Sequence, residues 1–203
     1  MRPTRSLPAL VRTPRLVLRR QRPEDAALIR EAVDTSLAHL RASVAWAQAE
    51  PTSLPATAAR LARSAAAFDA GDAWTFTILD AAATRVLGGV GLEPAEPPLA
   101  LLAGAEGVEA GYWLRADAVG HGYATEATAA LAELAFARLG ARCVVICHDP
   151  TNAPSGGVPR RLGFRCLGTV PDAALPGRQA ADGSVRAGTT IWVLDAPAPP
   201  AGG

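Results

Sequence analysis

Apolar positions in the first third of the chain predict a strand followed by two helices. Leu16 and Leu18 lie two positions apart in a segment bounded by arginines, a spacing that is typical of a strand with one buried face. Pro23 suits the first turn of a helix, and apolar residues then recur at helical intervals. This stripe comprises Ile29, Val33, Leu37 and Leu40. Ser53 is suited to cap a second helix, which Gly71 would end.

The remainder of the chain predicts further strands, with two more helices among them. The predicted strands cover 74–79, 86–92, 108–115, 142–148, 164–170 and 189–194, and the predicted helices cover 124–139 and 152–162. The resulting order is β-α-α-β-β-β-α-β-α-β-β. It predicts an α/β (α+β) protein with a central mixed sheet of about six or seven strands and helices on both faces.

Length and charge narrow the class of protein. The 203 residues suit one domain with a sizeable core. Lys and Arg number 20 against 19 Asp and Glu, so no strong field favours nucleic acid or an anionic membrane, and we expect neither as a partner. No segment approaches the ~20 apolar residues of a membrane span. No continuous apolar segment near the N-terminus indicates a signal peptide.

The cysteines argue for a reducing compartment. Cys143, Cys147 and Cys166 lack the spacing of a metal site or a redox motif. Cys143 and Cys147 fall in a predicted buried strand, which favours free buried thiols. We therefore predict a cytoplasmic protein that binds no metal. Cys166 has no His near it in sequence, so we do not expect it to act as a nucleophile.

A glycine turn lies between the predicted strand at 108–115 and the predicted helix at 124–139. Gly120 and Gly122 can adopt backbone angles that other residues avoid. A helix that starts there offers unpaired N–H groups and a positive dipole end, which together form a phosphate cradle. The alternative is a plain turn. A Walker-type loop is excluded because no Gly-Lys-Ser/Thr follows, and Thr125 replaces the third glycine of a dinucleotide fingerprint.

Three motifs in this order resemble the GNAT superfamily of acyl-CoA N-acyltransferases. They are GYWL at 111–114, VGHGYATEA at 119–127 and DPTNAPSGGVPRRLGF at 149–164. TPRLVLRR at 13–20 and HLRASVAWAQAE at 39–50 are similar to the RimJ/RimL branch, the ribosomal-protein N-terminal acetyltransferases. The resemblance implies a single domain over 13–195, with splayed central strands. It leaves a flexible N-terminus at 1–12 and a disordered tail at 196–203.

The resemblance implies acetyl-CoA as the cosubstrate, with other acyl groups such as succinyl left open. Its pyrophosphate would bind the backbone amides of the glycine loop, whose residues are Val119, Gly120, His121, Gly122, Tyr123, Ala124 and Thr125. Val119 departs from the family's Gln or Arg, which removes one side-chain contact. We expect His121 to be a solvent-facing loop residue rather than a catalyst. Trp113, Leu114 and Arg115 would offer backbone groups to the pantetheine arm, while Tyr112 and Trp113 are alternatively core aromatics.

The resemblance also implies the catalytic groups. Asn152 would contact the CoA arm, or merely cap the next helix. Ser155 would lie near the sulfur and protonate the departing thiolate. Gly156, Gly157 and Pro159 depart from the family pattern, and an interior proline costs a helix ~3 kcal/mol, so the helix is expected to be short, kinked or displaced.

The identity of the general base stays open. Glu109, just before GYWL, would deprotonate the amine directly or through water, or is simply a surface strand residue. Glu93, Asp172 and ordered water are the alternatives.

Two functional classes follow from these features. The first is an N-acyltransferase that moves an acyl group directly to an amine, such as a protein N-terminus, a protein lysine or a small amine. The second is a non-catalytic CoA-binding or sensor domain of the same fold. The departures from the family pattern around Ser155 are the reason to retain this alternative. Segments 93–107 and 171–187 and the two N-terminal helices would bind the acceptor. Both a monomer and a homodimer are compatible with the sequence.

Overall fold

A computed structural model describes residues 6–96, 99, 107–172, 175 and 188–197. Eight strands in this part of the chain form one sheet in the order β1-β2-β3-β4-β5-β6-β8-β7. The strands are β1 (Leu10–Arg12), β2 (Leu16–Arg20), β3 (Trp74–Asp80), β4 (Val86–Pro94), β5 (Gly107–Leu114), β6 (Cys143–His148), β7 (Arg165–Val170) and β8 (Thr189–Asp195). Only β5 and β6 pair in parallel, so the sheet is mixed, as predicted.

The strand count is eight, one or two more than the sequence predicts. The additional strand is β1, which lies within the segment expected to be flexible. Leu10 pairs with Arg19 and Arg12 with Val17, so β1 forms an antiparallel hairpin with β2. Three residues carry too little periodicity to predict a strand, and their conformation depends on the neighbouring edge of β2.

Five helices accompany the sheet in the described residues. They are α1 (Ala26–Asp34), α2 (Leu37–Arg41), α3 (Leu54–Ala70), α4 (Tyr123–Leu134) and α5 (Ala153–Arg161). Short 3-10 turns cover Pro23–Asp25, Ala45–Ala49 and Ala116–Ala118, and a π-helical turn, Ala135–Leu139, extends α4. The helix predicted from the stripe ending at Leu40 is therefore divided in two. The break lies at Ser36, whose Oγ accepts a hydrogen bond from the N–H of Ala116 at 3.1 Å.

Alternation along the strands places separate cores on the two faces of the sheet. On the first face, which carries α4 and α5, Leu18, Phe76 and Ile78 pack with Leu131 of α4. On the second face, which carries α1, α2 and the part of α3 around Leu61, Val17 and Leu79 pack with residues of α1 and α3. Those residues are Ile29, Val33 and Leu61. Helices thus cover both faces, as predicted.

Segments 93–107 and 171–187, which were expected to bind the acceptor, are described only in part. Segment 93–107 does not begin as a loop, because β4 continues through Glu93 to Pro94. Leu99 of the first segment and Leu175 of the second are both buried beside Cys143 and Val145 on the second face. The rest of these two segments, together with 1–5 and 198–203, lies outside the described residues.

The thiols are only partly placed as expected. Cys143 is buried and burial raises the pKa of its thiol, whereas Cys147 is half-buried and Cys166 is exposed. In the described part of the chain, no helix is long and apolar enough to cross a membrane.

The central strands separate after a short parallel pairing. Gly107, Val108 and Glu109 of β5 pair with Cys143, Val144 and Val145 of β6, and the pairing ends there. Both strands continue, β5 to Leu114 and β6 to His148, so a gap opens between them. This is the predicted splay, and it creates the cleft described below.

A buried hydroxyl on β3 offers a test of the packing. Thr77 is fully buried on the second face, and its Oγ1 has no hydrogen-bond partner among the described residues. Thr77→Val keeps the shape and removes the desolvated hydroxyl, so we expect the free energy of unfolding to rise by about 1 kcal/mol. Chemical denaturation measures this change. Thr75→Val, at a half-buried position of the same strand, is the control and should change it little. A less stable Thr77→Val would show that the hydroxyl does have a partner.

Candidate active site

The glycine turn joins β5 to α4 as the sequence predicts. Gly120 and Gly122 have φ of 82° and 80°, a region that side chains strongly disfavour. The N–H of Glu126 bonds to the carbonyl of Gly122, so it makes the first bond of α4. The N-cap residue, Gly122, has no side chain to accept from the free N–H groups of the first turn. A Cβ built on Gly120 would meet no atom within 4 Å, so an anion has room to approach the loop.

An ion pair outside the loop holds this turn in place. Arg15 donates from Nε to Glu126 Oε2 at 2.6 Å and from Nη1 to the carbonyl of His121 at 2.9 Å. Its guanidinium also lies 5.0 Å from the ring centre of Tyr123. Burial raises the pKa of Glu126, but hydrogen bonds from Thr13 and Arg15 outweigh it and leave the pKa below its usual value. The first turn of α4 is therefore tied to the TPRL segment.

His121 lies exposed on the loop. Its Nδ1 is 2.9 Å from the carbonyl of Val119 and donates to it, since a carbonyl can only accept. The ring stacks on Tyr123 with a centroid distance of 5.5 Å. Val119 is exposed and apolar, so it supplies no side-chain donor to an anion.

Only one of the three predicted β5 residues directs its backbone into the splay. The N–H of Ala95 donates to the carbonyl of Gly107, and the N–H of Arg115 donates to the carbonyl of Leu87. The odd-numbered residues of β5 therefore direct their backbone N–H and C=O groups towards β4. Trp113 and Arg115 therefore point their backbone groups away from the opening, and the prediction is corrected for these two. Leu114 faces the opening.

The side chains of Arg115 and Trp113 both contact other parts of the fold. Arg115 is buried and forms ion pairs with Glu31 at 2.5 Å and Asp117 at 3.1 Å. The hydrogen bond that Arg115 donates to Glu31 is the largest effect on the pKa of Arg115, and the net result is a raised pKa. Trp113 meets Trp46 edge-on with ring centres 5.7 Å apart.

Ser155 lies across the opening from the turn. Asn152 caps α5, because its Oδ1 accepts from the N–H of Ser155 at 3.1 Å. The hydroxyl of Tyr112 donates to the carbonyl of Ser155 at 2.8 Å, and Ser155 Oγ is 3.3 Å from the same phenol oxygen. Burial raises the pKa of Tyr112 to about 12. The helix runs unbroken through Pro159 to Arg161, so it is not cut short there.

These elements surround one cleft of about 860 Å³. Most of its wall comes from the glycine turn, the ends of β5 and β6, and α5. The remainder comes from α2 with the residues after it and from Thr189 of β8. The predicted residues in the wall are Trp113, Leu114, Val119, Gly120, His121, Gly122, Tyr123, Ala124, Thr125, Asn152 and Ser155. Residues from both faces of the sheet therefore line the cleft.

Residues 15–165 match the family model of the acetyltransferase (GNAT) domain. The chain belongs to the GNAT acetyltransferases. The family predicted from the motifs is thus confirmed, and with it the activity of an N-acetyltransferase that uses acetyl-CoA and acts on an amine-bearing acceptor. Comparison with curated protein sequences gives no significant match.

Solved structures share this fold. RimL, a ribosomal L7/L12 α-N-protein acetyltransferase in complex with CoA, has a TM-score of 0.77 at 20% identity, over 92% of this chain and 98% of that chain. The microcin C7 self-immunity acetyltransferase MccE, in complex with acetyl-CoA and AMP, has 0.77 at 18% identity, over 93% and 97%. Mycobacterium smegmatis RimJ in complex with CoA-disulfide has 0.74 at 20% identity, over 89% and 82%. These neighbours include the RimJ/RimL branch that the sequence resembles.

The candidate bases of this GNAT domain lie outside the wall of the cleft. Glu109 is on the second face, where it stands opposite Glu93 across β4 and β5. Asp172 accepts a hydrogen bond from Thr189 at 2.7 Å. Neither carboxylate nor Glu93 is among the residues that line the cleft, and neither is the exposed Cys166. Sequence position alone placed Glu109 near the site but could not give the direction of its side chain.

Three contributors to the site were not predicted from the sequence. Arg15 and Glu126 both lie inside motifs that carried the family resemblance, so their charges were the available signal. Arg161 donates from Nε to Thr125 at 3.1 Å and lines the cleft beside the glycine turn. It supplies a cation where Val119 supplies none.

The two glycines after Ser155 have different neighbours. A Cβ on Gly156 would lie 2.8 Å from Nε2 of His148. That imidazole is fixed, since Nε2 accepts from Trp192 Nε1 at 3.0 Å and Nδ1 donates to the carbonyl of Asp149 at 2.7 Å. A Cβ on Gly157 would lie 3.1 Å from the guanidinium of Arg161, which is exposed and flexible.

Alanine at the two positions should therefore have opposite effects. Helix propensity alone favours Ala over Gly by about 1 kcal/mol. We expect Gly157→Ala to be neutral or stabilising, because the side chain of Arg161 can move aside. Gly156→Ala should lower the free energy of unfolding, because the new methyl group displaces His148 from Trp192. Thermal or chemical denaturation of both variants measures the difference. Equal stabilisation by both would contradict the close contact at Gly156.

Proposed function

We propose that this enzyme transfers the acetyl group directly from acetyl-CoA to an amine within the cleft, with Ser155 as the proton donor to the thiolate. The observation that carries the proposal is that the glycine turn and the hydroxyl of Ser155 line the same cleft, on opposite sides of the splay. A direct transfer needs both substrates at one point, and residues from both faces of the sheet line the cleft.

The residues around the turn fit the phosphate groups of CoA. The uncapped first turn of α4 supplies backbone donors, and the open space at Gly120 lets the phosphates approach them. Arg161 adds a guanidinium beside Thr125. Leu114 offers backbone groups at the open edge of β5, where the amides of the pantetheine arm would add as a further strand.

The open edge of β5 also supplies hydrogen-bond donors near the thioester carbonyl. By the alternation along β5, the N–H groups of Ala110 and Tyr112 also face the opening, and they are the donors available to a developing oxyanion. Ser155 Oγ donates a proton to the sulfur as the C–S bond breaks. The acceptor ammonium loses one proton before the attack. The attacking nitrogen loses a second proton as the tetrahedral intermediate collapses, and this proton returns to Ser155 Oγ through water.

The acceptor amine would enter from the second face. The wall on that side contains His39, Ser43 and Val44, which belong to α2 and the segment after it. The side chain of Glu109 is directed to the same face but lies outside the wall, so it would act on the amine through water.

The acceptor class is either a protein N-terminus or a small amine. RimL is named for the first and MccE is described with AMP, and both share the fold. An enzyme of either kind would work in the cytoplasm, where acetyl-CoA is made available to it. The alternative of a non-catalytic CoA-binding domain predicts binding without release of thiol.

Ser155→Ala tests the acid. We expect turnover to fall about 10²-fold, at the low end for general acid help, because a CoA thiolate is already a tolerable leaving group. The affinity for acetyl-CoA should stay nearly unchanged. Release of CoA thiol with a panel of primary amines measures turnover, and calorimetry measures binding.

Ser53→Ala removes the cap of α3 and is the control, since it should lower stability without lowering turnover. Full turnover of Ser155→Ala with every amine would assign the proton to water, whereas binding without thiol release in the unmodified protein would favour the non-catalytic alternative.

Gly122→Val tests the cradle. A side chain there blocks the approach to the amides, so we expect a large loss of acetyl-CoA affinity by calorimetry. It also strains the backbone by about 1–2 kcal/mol at this positive φ. Gly140→Val is the matched control, because Gly140 has a φ of 64°, meets no atom within 4 Å of a built Cβ and lies at the far end of α4. If both variants bound acetyl-CoA equally well, the cradle would not hold the pyrophosphate.

A further inference from the structure

Pro159 leaves one carbonyl of α5 without its helical partner. In an α-helix the N–H of a residue donates to the carbonyl four positions earlier. Pro159 has no N–H, and the residue four positions earlier is Ser155. A proline ring also crowds that carbonyl and turns it away from the helix axis. The backbone oxygen of the proposed acid therefore needs a donor from outside the helix.

Tyr112 supplies this donor. Its hydroxyl donates to the carbonyl of Ser155 at 2.8 Å, a good distance for a hydrogen bond. Tyr112 belongs to β5 and its ring packs against the main core, so the hydrogen bond ties α5 to the central strand. A tyrosine that served only as a core aromatic would not need to reach this particular oxygen.

The same phenol also meets the side chain of Ser155. A phenol has one hydrogen, and here it is committed to the carbonyl, so the phenol oxygen can only accept from Ser155 Oγ, 3.3 Å away. The raised pKa of Tyr112, about 12, keeps the phenol protonated throughout the neutral range. In the free enzyme Tyr112 therefore fixes the position of Ser155 Oγ from outside its own helix, and the Oγ hydrogen must rotate from the phenol to the sulfur as the thiolate forms.

We propose that Tyr112 is the positioning residue for Ser155, and that Pro159 is the substitution that makes it so. This inference rests on the proposed function of Ser155 as the acid. It also accounts for a departure from the family pattern that would otherwise count against catalysis. The proline removes a competing backbone donor and leaves the Ser155 carbonyl to the phenol.

Tyr112→Phe tests the two halves of the proposal separately. Without the hydroxyl, the carbonyl loses its donor, so amide hydrogen exchange in α5 should quicken by about tenfold in the absence of any substrate. Turnover should fall by about five- to tenfold, because Ser155 loses the contacts that fix the position of Oγ at the cleft, while the affinity for acetyl-CoA stays unchanged. A Tyr112→Phe protein with unaltered exchange and unaltered turnover would overturn the proposal.

Pro159→Ala distinguishes positioning from simple support of the helix. Alanine returns an N–H that can donate to the Ser155 carbonyl, so Tyr112→Phe combined with Pro159→Ala should recover slow exchange in α5. Turnover of this double variant should stay low, since Ser155 Oγ still lacks the contact with the phenol that fixes its position. Full recovery of turnover would show that Tyr112 only supports the helix, and would overturn the positioning role. Pro55→Ala, in the first turn of α3, is the control and should alter neither measurement.

A comparison with Ser155→Ala completes the test. If Tyr112 acts through Ser155, adding Tyr112→Phe to Ser155→Ala should lower turnover no further, whereas independent effects would multiply and contradict the proposal. The exchange measurements need no acceptor. A protein that released no thiol with any amine, yet showed the expected exchange pattern, would refute the proposed function while supporting the contact between Tyr112 and the Ser155 carbonyl.

Discussion

The loss of pairing between β5 and β6 is the constraint on which the rest of the site depends. Parallel hydrogen bonds hold the two strands together for three residues and end at Glu109 and Val145. Beyond that point both strands remain anchored on their outer sides, β5 to β4 and β6 to β8. The gap is therefore held open by the sheet itself. It exposes one edge of β5 at the point where the chain turns into α4.

The anchoring on the outer side also decides which groups the gap presents. The ladder with β4 uses the backbone of Trp113 and of Arg115 and leaves that of Leu114 facing the opening. The same alternation sends Tyr112 to the face that carries α5 and Glu109 to the opposite face. One strand thus carries a contact to the proposed acid on one side and the proposed base on the other. This separation suits a reaction in which the two substrates approach from different faces.

The unusual residues of α5 each correspond to a contact with another element. Gly156 leaves room for His148, whose imidazole is held by Trp192. Pro159 leaves the Ser155 carbonyl to a donor from β5. Judged by helix propensity alone, Gly156 and Pro159 predict a weak or broken helix. In the folded protein the sheet beneath α5 supplies the packing and hydrogen bonds that propensity lacks, which is why the helix persists.

The sequence alone determined the class of fold, the turn and the family. Apolar spacing and glycine placement act locally, so the strand, the turn at Gly120 and the helix after it could be predicted from neighbouring residues. Only the tertiary structure decided the contacts between residues that are far apart in the sequence. β1 forms because β2 offers an edge, Arg15 meets Glu126 across 111 positions, and Tyr112 reaches Ser155 across 43 positions. No local pattern encodes such contacts, because they arise only when the sheet brings the segments together.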